Sequence, residues 1–440
     1  MKGFFGRVKS ISYSWVILVV LFIGLAASFG MRVSVGLYIG PWEEEFEISR
    51  TMSSLVPLIG FVFFGLGQPV AGKLNDRFGR GIVLTFSIVL VGTSLLLTSF
   101  ATAFWQIFIL YGFGFSLGTA GVSNSIAAAI LTKWFDKKRG LALGILMSGM
   151  AVGQLVMFPI NAFLMRSSDW DWRRTLATLG VVVMVVVGLL FIFLLRSKPS
   201  EKGLKPFGYL ESEGSEKKGG GASPEAQKTQ SVFGVFKHKA FWLLAVPFFV
   251  CGFTDVGLIN THLPSLARER FATEIVMEND AEADAESDRI TAILSATFML
   301  AAAANVGGTI LTGHMSDFLS RKKQLAFIYG SRACIFVLLI LLRQPWLLLV
   351  FAVLYGAVEM ASIAPTQSLA AQIFDKFSTG TVLGVISVAH QLGGAAGSWV
   401  PGFIYDLTNS YIPSLVLSIV LLLGVALVAL RIPENAAKKA

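Results

Sequence analysis

Charge is what this chain has least of: Asp, Glu, Lys and Arg make up 14% of 440 residues, against 54% hydrophobic. So apolar a balance excludes a soluble two-domain protein of ordinary make-up and leaves a lipid bilayer as the solvent. Cysteine is nearly missing as well. Cys251 and Cys334 both fall inside apolar runs, so neither a disulfide framework nor a metal cluster can be assembled from them. No phosphate loop of the G-x-x-x-x-G-K-S/T type occurs, which counts against an ATP-driven pump. No recognisable set of nucleophile, base and orienting group occurs either, so an enzyme finds little support and no cofactor or metal is expected.

Long apolar runs are what the sequence has instead. Stretches of about 20 residues, enough to cross a roughly 30 Å hydrocarbon core, recur from end to end. Twelve are counted as spans 1 to 12, near residues 14–39, 52–72, 82–100, 104–131, 140–164, 175–195, 240–265, 290–312, 324–342, 346–372, 380–404 and 411–431. The first is too long for a cleavable leader and lacks a small-residue cleavage site, so it is expected to stay as span 1. The net charge of +9 reflects orientation. Of 36 Lys and Arg, 26 fall in the two ends, the even-to-odd loops and the central segment, eight in the opposite loops and two inside spans. That asymmetry predicts cytoplasmic termini and a cytoplasmic 196–239 segment. It makes membrane lipid, not nucleic acid, the partner of the basic charge.

A charged knot, Gly72-Lys73-Leu74-Asn75-Asp76-Arg77-Phe78-Gly79-Arg80, follows span 2. It is echoed after span 8 by Gly313-His314-Met315-Ser316-Asp317-Phe318-Leu319-Ser320-Arg321-Lys322-Lys323, the aspartates lying 241 residues apart. Tyr111-Gly112 in span 4 answers to Tyr355-Gly356 in span 10, and Leu143-Gly144 in span 5 to Leu383-Gly384 in span 11, at offsets of 244 and 240. One module used twice predicts an all-α membrane protein of twelve transmembrane helices in two pseudo-symmetric six-helix bundles, 1–196 and 239–440, with a site at their interface. The intervening 197–238, rich in Gly, Ser and Lys and without apolar periodicity, reads as a flexible cytoplasmic linker. A second insertion, 268–289, is acidic and reads as a solvated external loop.

Six ionisable side chains lie inside spans: Arg32, Asp255, His262, Arg332, Glu359 and His390. A charge in lipid costs about 2.5–3.5 kcal/mol on insertion scales, so such groups usually face a cavity or a partner. Arg32 and His262 occupy the outer third of spans 1 and 7, repeat-related partners, where facing each other they would form a carboxylate site. Snorkelling is the alternative for Arg32, and an interfacial hydrogen bond for His262. Asp255, near mid-membrane, is the best proton carrier on offer, because burial disfavours the charged form of a carboxyl; its alternative is a static partner for Arg32 or His262. Arg332 and Glu359 lie at similar depth in spans 9 and 10 and read as a structural ion pair, with Glu359 also a proton-coupling candidate. Asn124 in span 4 and His390-Gln391 in span 11 are polar groups that could line a cavity. Asp76 can accept N–H bonds from a neighbouring helix start and Arg77 can bridge to another acid, a latch for one face.

The pattern G-x-L-x-D-R-x-G-R of the first knot resembles the loop signature of the major facilitator superfamily. The second copy keeps Gly313, Asp317 and the basic tail, with Phe318 and Ser320 where the first has Arg77 and Gly79. Ser28-Phe29-Gly30-Met31-Arg32, Phe46-Glu47-Ile48-Ser49-Arg50, Thr261-His262-Leu263-Pro264, Tyr329-Gly330-Ser331-Arg332 and His390-Gln391-Leu392-Gly393-Gly394 resemble its monocarboxylate-transporter-like branch, which includes oxalate–formate antiporters. The resemblance implies alternating-access secondary transport of small organic anions, with the acid and a coupled proton as partners, by a monomer in a bacterial-type cytoplasmic membrane. It implies a gating latch at Asp76, Arg77, Asp317 and Arg321, and a cargo site among Arg32, Asn124, His262, Asn305, Tyr355 and Gln391. Asn305 stands where the better-known carriers have a span-8 arginine, so either Arg32 is the carboxylate anchor or the cargo is a different organic acid. Proton-driven efflux of amphipathic compounds and a non-transporting sensor of the same fold are the rival readings.

Overall fold

The computed structural model describes residues 2–78, 81–166, 171–209, 232–272, 280–315, 319–374 and 379–434. Among them the secondary structure is helical apart from turns and one isolated bridge, Phe135 to Phe207. A helix satisfies its own backbone groups, which lipid cannot do. Spans 1, 2 and 3 are Lys2–Val33, Arg50–Ser53 with Leu55–Phe78, and Ile82–Thr98. Span 4 runs from Phe104 to Trp134 in pieces, span 5 is Arg139–Arg166, and span 6 runs from Trp172 to Leu194. In the second half span 7 runs from Lys239 to Ala272, span 8 is Asp280–Met315 and span 9 is Arg321–Leu341. Span 10 is Leu347–Glu359 with Ile363–Ile373, span 11 Thr379–Thr408 and span 12 Ile412–Leu430. Ten described helices are long and apolar enough to cross a membrane; Ile82–Thr98 is shorter. The twelve spans named above, Thr379–Thr408 included, are an even number, so the described chain starts and finishes on one face, called here the terminal face.

Two apolar cores form, one inside the first half and one centred on the second half that takes in Val33, Leu37, Phe158 and Ala162 of the first. The halves meet where Phe158 of span 5 stacks on Phe298 of span 8, ring centroids 3.9 Å apart. Within the bundles, glycine lets backbones touch. A Cβ on Gly30 would run into Gly153, and one on Gly397 into Phe253, so spans 1 and 5 and the repeat-related spans 7 and 11 pack in the same way.

Three local departures from regular helix shape the interior. The apolar run 14–39 is two helices: span 1 ends at Val33, and a turn at Ser34–Val35 leads into Gly36–Phe46. Span 7 widens into a π-helical turn over Phe253–Ile259, which carries Asp255. Spans 4 and 10 are both interrupted, at Val122–Ser123 and at Met360–Ser362. Irregular backbone at membrane depth persists only where protein or a cavity serves its polar groups.

Two insertions differ from expectation. The acidic stretch 268–289 is not a plain loop: span 7 continues to Ala272 and span 8 begins at Asp280, leaving 273–279 outside the described residues. The central segment begins ordered. Phe207 pairs its backbone with Trp134 and Asp136 and sets its ring against Trp15, and a short 3-10 turn covers Pro199–Lys202. Residues 210–231 lie outside the description.

Candidate functional site: a central cavity with one guanidinium

A cavity of about 200 Å³ lies between the halves, walled by spans 1, 2, 4 and 5 on one side and 7, 10 and 11 on the other. Its apolar wall includes Phe29, Phe64, Phe248 and Ile363, and its polar wall Gln68, Asn124, Gln367, His390 and Gln391. Among the described lining residues Arg32 is the single Lys or Arg, and no Asp or Glu lines the space. Arg32 shares one face of span 1 with Leu25, Ser28 and Phe29, at i−7, i−4 and i−3 spacing, and that face lines the cavity. Its guanidinium sits over the ring of Phe64 at 3.8 Å and that of Phe61 at 4.6 Å, and donates to Gln391 Oε1 at 2.9 Å. Aromatic faces and an amide hold the cation without neutralising it, so its charge stays available to an anion.

His262 is not part of this site. It is fully buried, with its ring nitrogens 3.1 Å from the Tyr411 hydroxyl and 2.7 Å from the Ser398 carbonyl. The expected Arg32–His262 carboxylate site is therefore not assembled, since the two side chains have different partners. His390, by contrast, lines the cavity with its ring against Phe248.

The ion pair of the second half also differs from expectation. Arg332, completely buried, pairs with Asp255 at 2.8 Å and not with the side chain of Glu359. The π-helical turn of span 7 brings Asp255 within reach. Tyr355 and Thr254 donate to the other carboxylate oxygen at 3.1 and 3.2 Å, and Cys251 lies 3.2 Å from Arg332. The rest of the guanidinium fork serves the interruption of span 10, donating to the carbonyls of Val358 and Glu359. Glu359 accepts instead from Asn305 Nδ2 at 3.0 Å. Tyr355 and Asn305 are thus engaged by Asp255 and Glu359 and do not line the cavity, unlike Asn124 and Gln391.

The face away from the termini is closed by a clasp of residues that sequence reasoning missed. Arg50, at the start of span 2, pairs with Glu43 at 2.7 Å, donates to the Tyr411 hydroxyl at 3.0 Å and lies 4.5 Å from the Tyr405 ring. Asp406, at the end of span 11, accepts the backbone N–H groups of Arg50 and Thr51 at 3.1 and 2.7 Å. Each bond crosses from one half to the other except that to Glu43. Only the surplus polarity of Glu43-Glu44-Glu45 beside Arg50 hinted at it.

On the terminal face Arg77 is exposed, its guanidinium over the adjacent Phe78 ring. The side chain of Asp76 and all of Asp317 lie outside the described residues. Arg321 is engaged by Gln372 at 3.3 Å, and its backbone N–H by Glu434 at 2.8 Å. Burial pushes the Glu434 carboxyl up, but bonds from Ser320 and the backbone of Arg321 and Lys322 outweigh it and hold the group below the usual carboxylate range.

Two repeated bundles enclosing a cavity closed on one face define an integral membrane transporter, not an enzyme. The chain belongs to the Major Facilitator Superfamily, whose profile matches residues 20–398 and 286–440. It is 24% identical over 421 residues to an uncharacterised transporter of this type, YcxA of Bacillus subtilis, covering 90% of each chain. It is also 24% identical to monocarboxylate transporter 13 of Rattus norvegicus, covering 96% of this chain and 89% of the other. Among solved structures it resembles a bacterial homologue of the human lysosomal transporter Spinster, captured inward-facing and occupied. The TM-score is 0.69 at 17% identity over 95% and 96% of the two chains.

Proposed function

We propose that the protein carries small organic anions of the monocarboxylate type by alternating access, coupled to proton symport, with the terminal face in the cytoplasm of a bacterial-type cell. The observation that carries this reading is the lining of the central cavity, one guanidinium and no carboxylate. Such a lining attracts an anion and repels a cation. Arg32 anchors the carboxylate, and Asn124 and Gln391 orient the rest of the cargo. The relatives named as monocarboxylate transporters support the cargo class.

Glu359 takes the proton in this reading, in preference to Asp255. Asp255 is occupied by Arg332 at 2.8 Å, a pair whose disruption would leave a buried charge. Glu359 receives an amide donor and sits next to Met360, which lines the cavity. The clasp at Arg50 and Asp406 closes one face, and the Asp76–Arg77 latch serves the opposite face in the alternate state. One chain supplies both walls, so a monomer suffices.

Proteoliposomes with an imposed proton gradient test the proposal, with radiolabelled acetate, lactate and pyruvate offered in turn. Uptake of at least one acid, abolished in Arg32→Ala, is expected. In Glu359→Gln, exchange of labelled for unlabelled acid persists while gradient-driven accumulation disappears. Uptake that survives Arg32→Ala unchanged refutes the carboxylate anchor, and binding without flux points to a sensor.

A further inference from the structure

Ser123 begins the lower part of span 4, Asn124–Trp134, at the interruption that the cavity exposes. Its backbone is extended, φ −73 and ψ 157, and the first intrahelical bond runs from Ala127 N–H to the Ser123 carbonyl at 3.0 Å. The N–H groups of Asn124, Ser125 and Ile126 therefore have no acceptor within the helix, and the positive end of the helix dipole faces the cavity. Ser123 itself is 2% exposed, yet its hydroxyl makes no cap bond and has no partner. A buried hydroxyl left so is costly unless something else uses it.

The second half shows the same interruption with its freed carbonyls and its serine hydroxyl served. In span 10 the freed carbonyls of Val358 and Glu359 take the Arg332 guanidinium, and Ser362, 239 residues after Ser123, lies 3.3 Å from Cys251. Among the described residues no side chain serves the Ser123 hydroxyl or the N–H groups that follow it in span 4. One repeat has closed its broken helix with its own side chains, and the other presents it to the cavity.

We infer that the helix start at Ser123 to Ser125 is a second anion-binding station, one that takes a carboxylate and lies nearer the terminal face than Arg32. The inference rests on the anion reading of the cavity. Tyr111 touches the Met31 carbonyl at 3.3 Å, which fixes the relative height of spans 1 and 4. Ser123 is then roughly 18 Å further along span 4 by helical rise, and an Arg32 side chain leaning toward its helix N-terminus recovers several ångströms of that. A separation on the order of 10 Å is too long for one carboxylate to touch both. The station therefore holds either the same anion at another stage of its passage, or the far end of a two-ended acid.

Thermal stability of purified protein titrated with acetate and with succinate tests this, using wild type, Arg32→Ala, and Arg32→Ala combined with Ser123→Asp or Ser123→Ala. Arg32→Ala should keep a saturable, anion-dependent rise in melting temperature. Ser123→Asp puts a fixed carboxylate on the free N–H groups, so it should raise the unliganded melting temperature and weaken acetate by about tenfold. Ser123→Ala, which needs no new charge to fold, should weaken it less. Succinate exceeding acetate by more than about tenfold in wild type, a full 1.4 kcal/mol of second-end contact, marks a two-ended cargo; equal affinities mark one anion with two stopping points. No residual rise in Arg32→Ala, or a rise indifferent to both Ser123 changes, overturns the station and leaves the Arg32 site standing. No rise in wild type with either acid overturns the anion reading itself.

Discussion

Replacing Asp406 by Ala should open the face away from the termini in a measurable fraction of molecules. Its carboxylate holds the Arg50 and Thr51 N–H groups at 3.1 and 2.7 Å, across the halves. Loss of a capping carboxylate costs about 0.5–2 kcal/mol. Because Asp406 is exposed and partly screened, a value of about 1 kcal/mol applies, which multiplies the ratio of open to closed molecules by about five. Arg50 keeps Glu43 and Tyr411, so the clasp loosens without breaking. Spin labels at Glu47 and Thr408, exposed positions on opposite halves of this face, report the change by pulsed double-resonance distances. A distance distribution identical to wild type would remove Asp406 from the closure. The pH dependence has a definite sign. Partial burial pushes the Asp406 carboxyl up, but bonds from Thr51, Ser49 and the Arg50 backbone outweigh it and hold it below the usual carboxylate range. The contribution is complete above the value of the open form and lost as pH falls through that of the closed form. Distances should thus be flat from neutral to roughly pH 5 and shift only in stronger acid.

Three further outcomes follow from packing and pairing. Arg332→Met and Asp255→Asn should each destabilise the protein by about 3–5 kcal/mol, by leaving one buried charge, and the double change should recover much of the loss, as read by chemical denaturation in detergent. Gly153→Val should lower thermal stability by about 1–3 kcal/mol or more, since any side chain there meets the Ala26 backbone. Gly144→Ala, with nothing within 4 Å of the added methyl, is the neutral control. Glu434→Ala uncaps span 9 and should speed amide exchange at Arg321 to Lys323 by about fivefold, with a stability change of no more than about 1 kcal/mol.

The fold was legible because its signals are long. Twelve apolar runs, a repeated knot and lopsided Lys and Arg each extend over many residues, and lipid tolerates few architectures that satisfy them. Arg32, Asn124 and Gln391 were legible for a related reason, being costly polar groups in apolar runs. The partners were not. Arg332 and Glu359 were matched by depth, but depth carries no information about rotation round a helix axis, and the π-helical turn that swings Asp255 toward Arg332 leaves no mark in an apolar pattern. His262 was matched to Arg32 by repeat symmetry, whereas its nearest donors and acceptors, Tyr411 and Ser398, come from elsewhere in its own half. The broken helices had a signal that could have been read: a serine amid apolar residues, the residue type favoured at helix starts, at Ser123 and again 239 residues later at Ser362, although neither hydroxyl makes a cap bond.

The bond from Arg32 to Gln391 has a consequence for idle molecules. It moors span 1 of the first half to span 11 of the second through one nitrogen of the fork and leaves the other N–H groups of Arg32 free of it. Any movement of one half against the other at this depth strains that tether, so the molecule at rest is bound to itself.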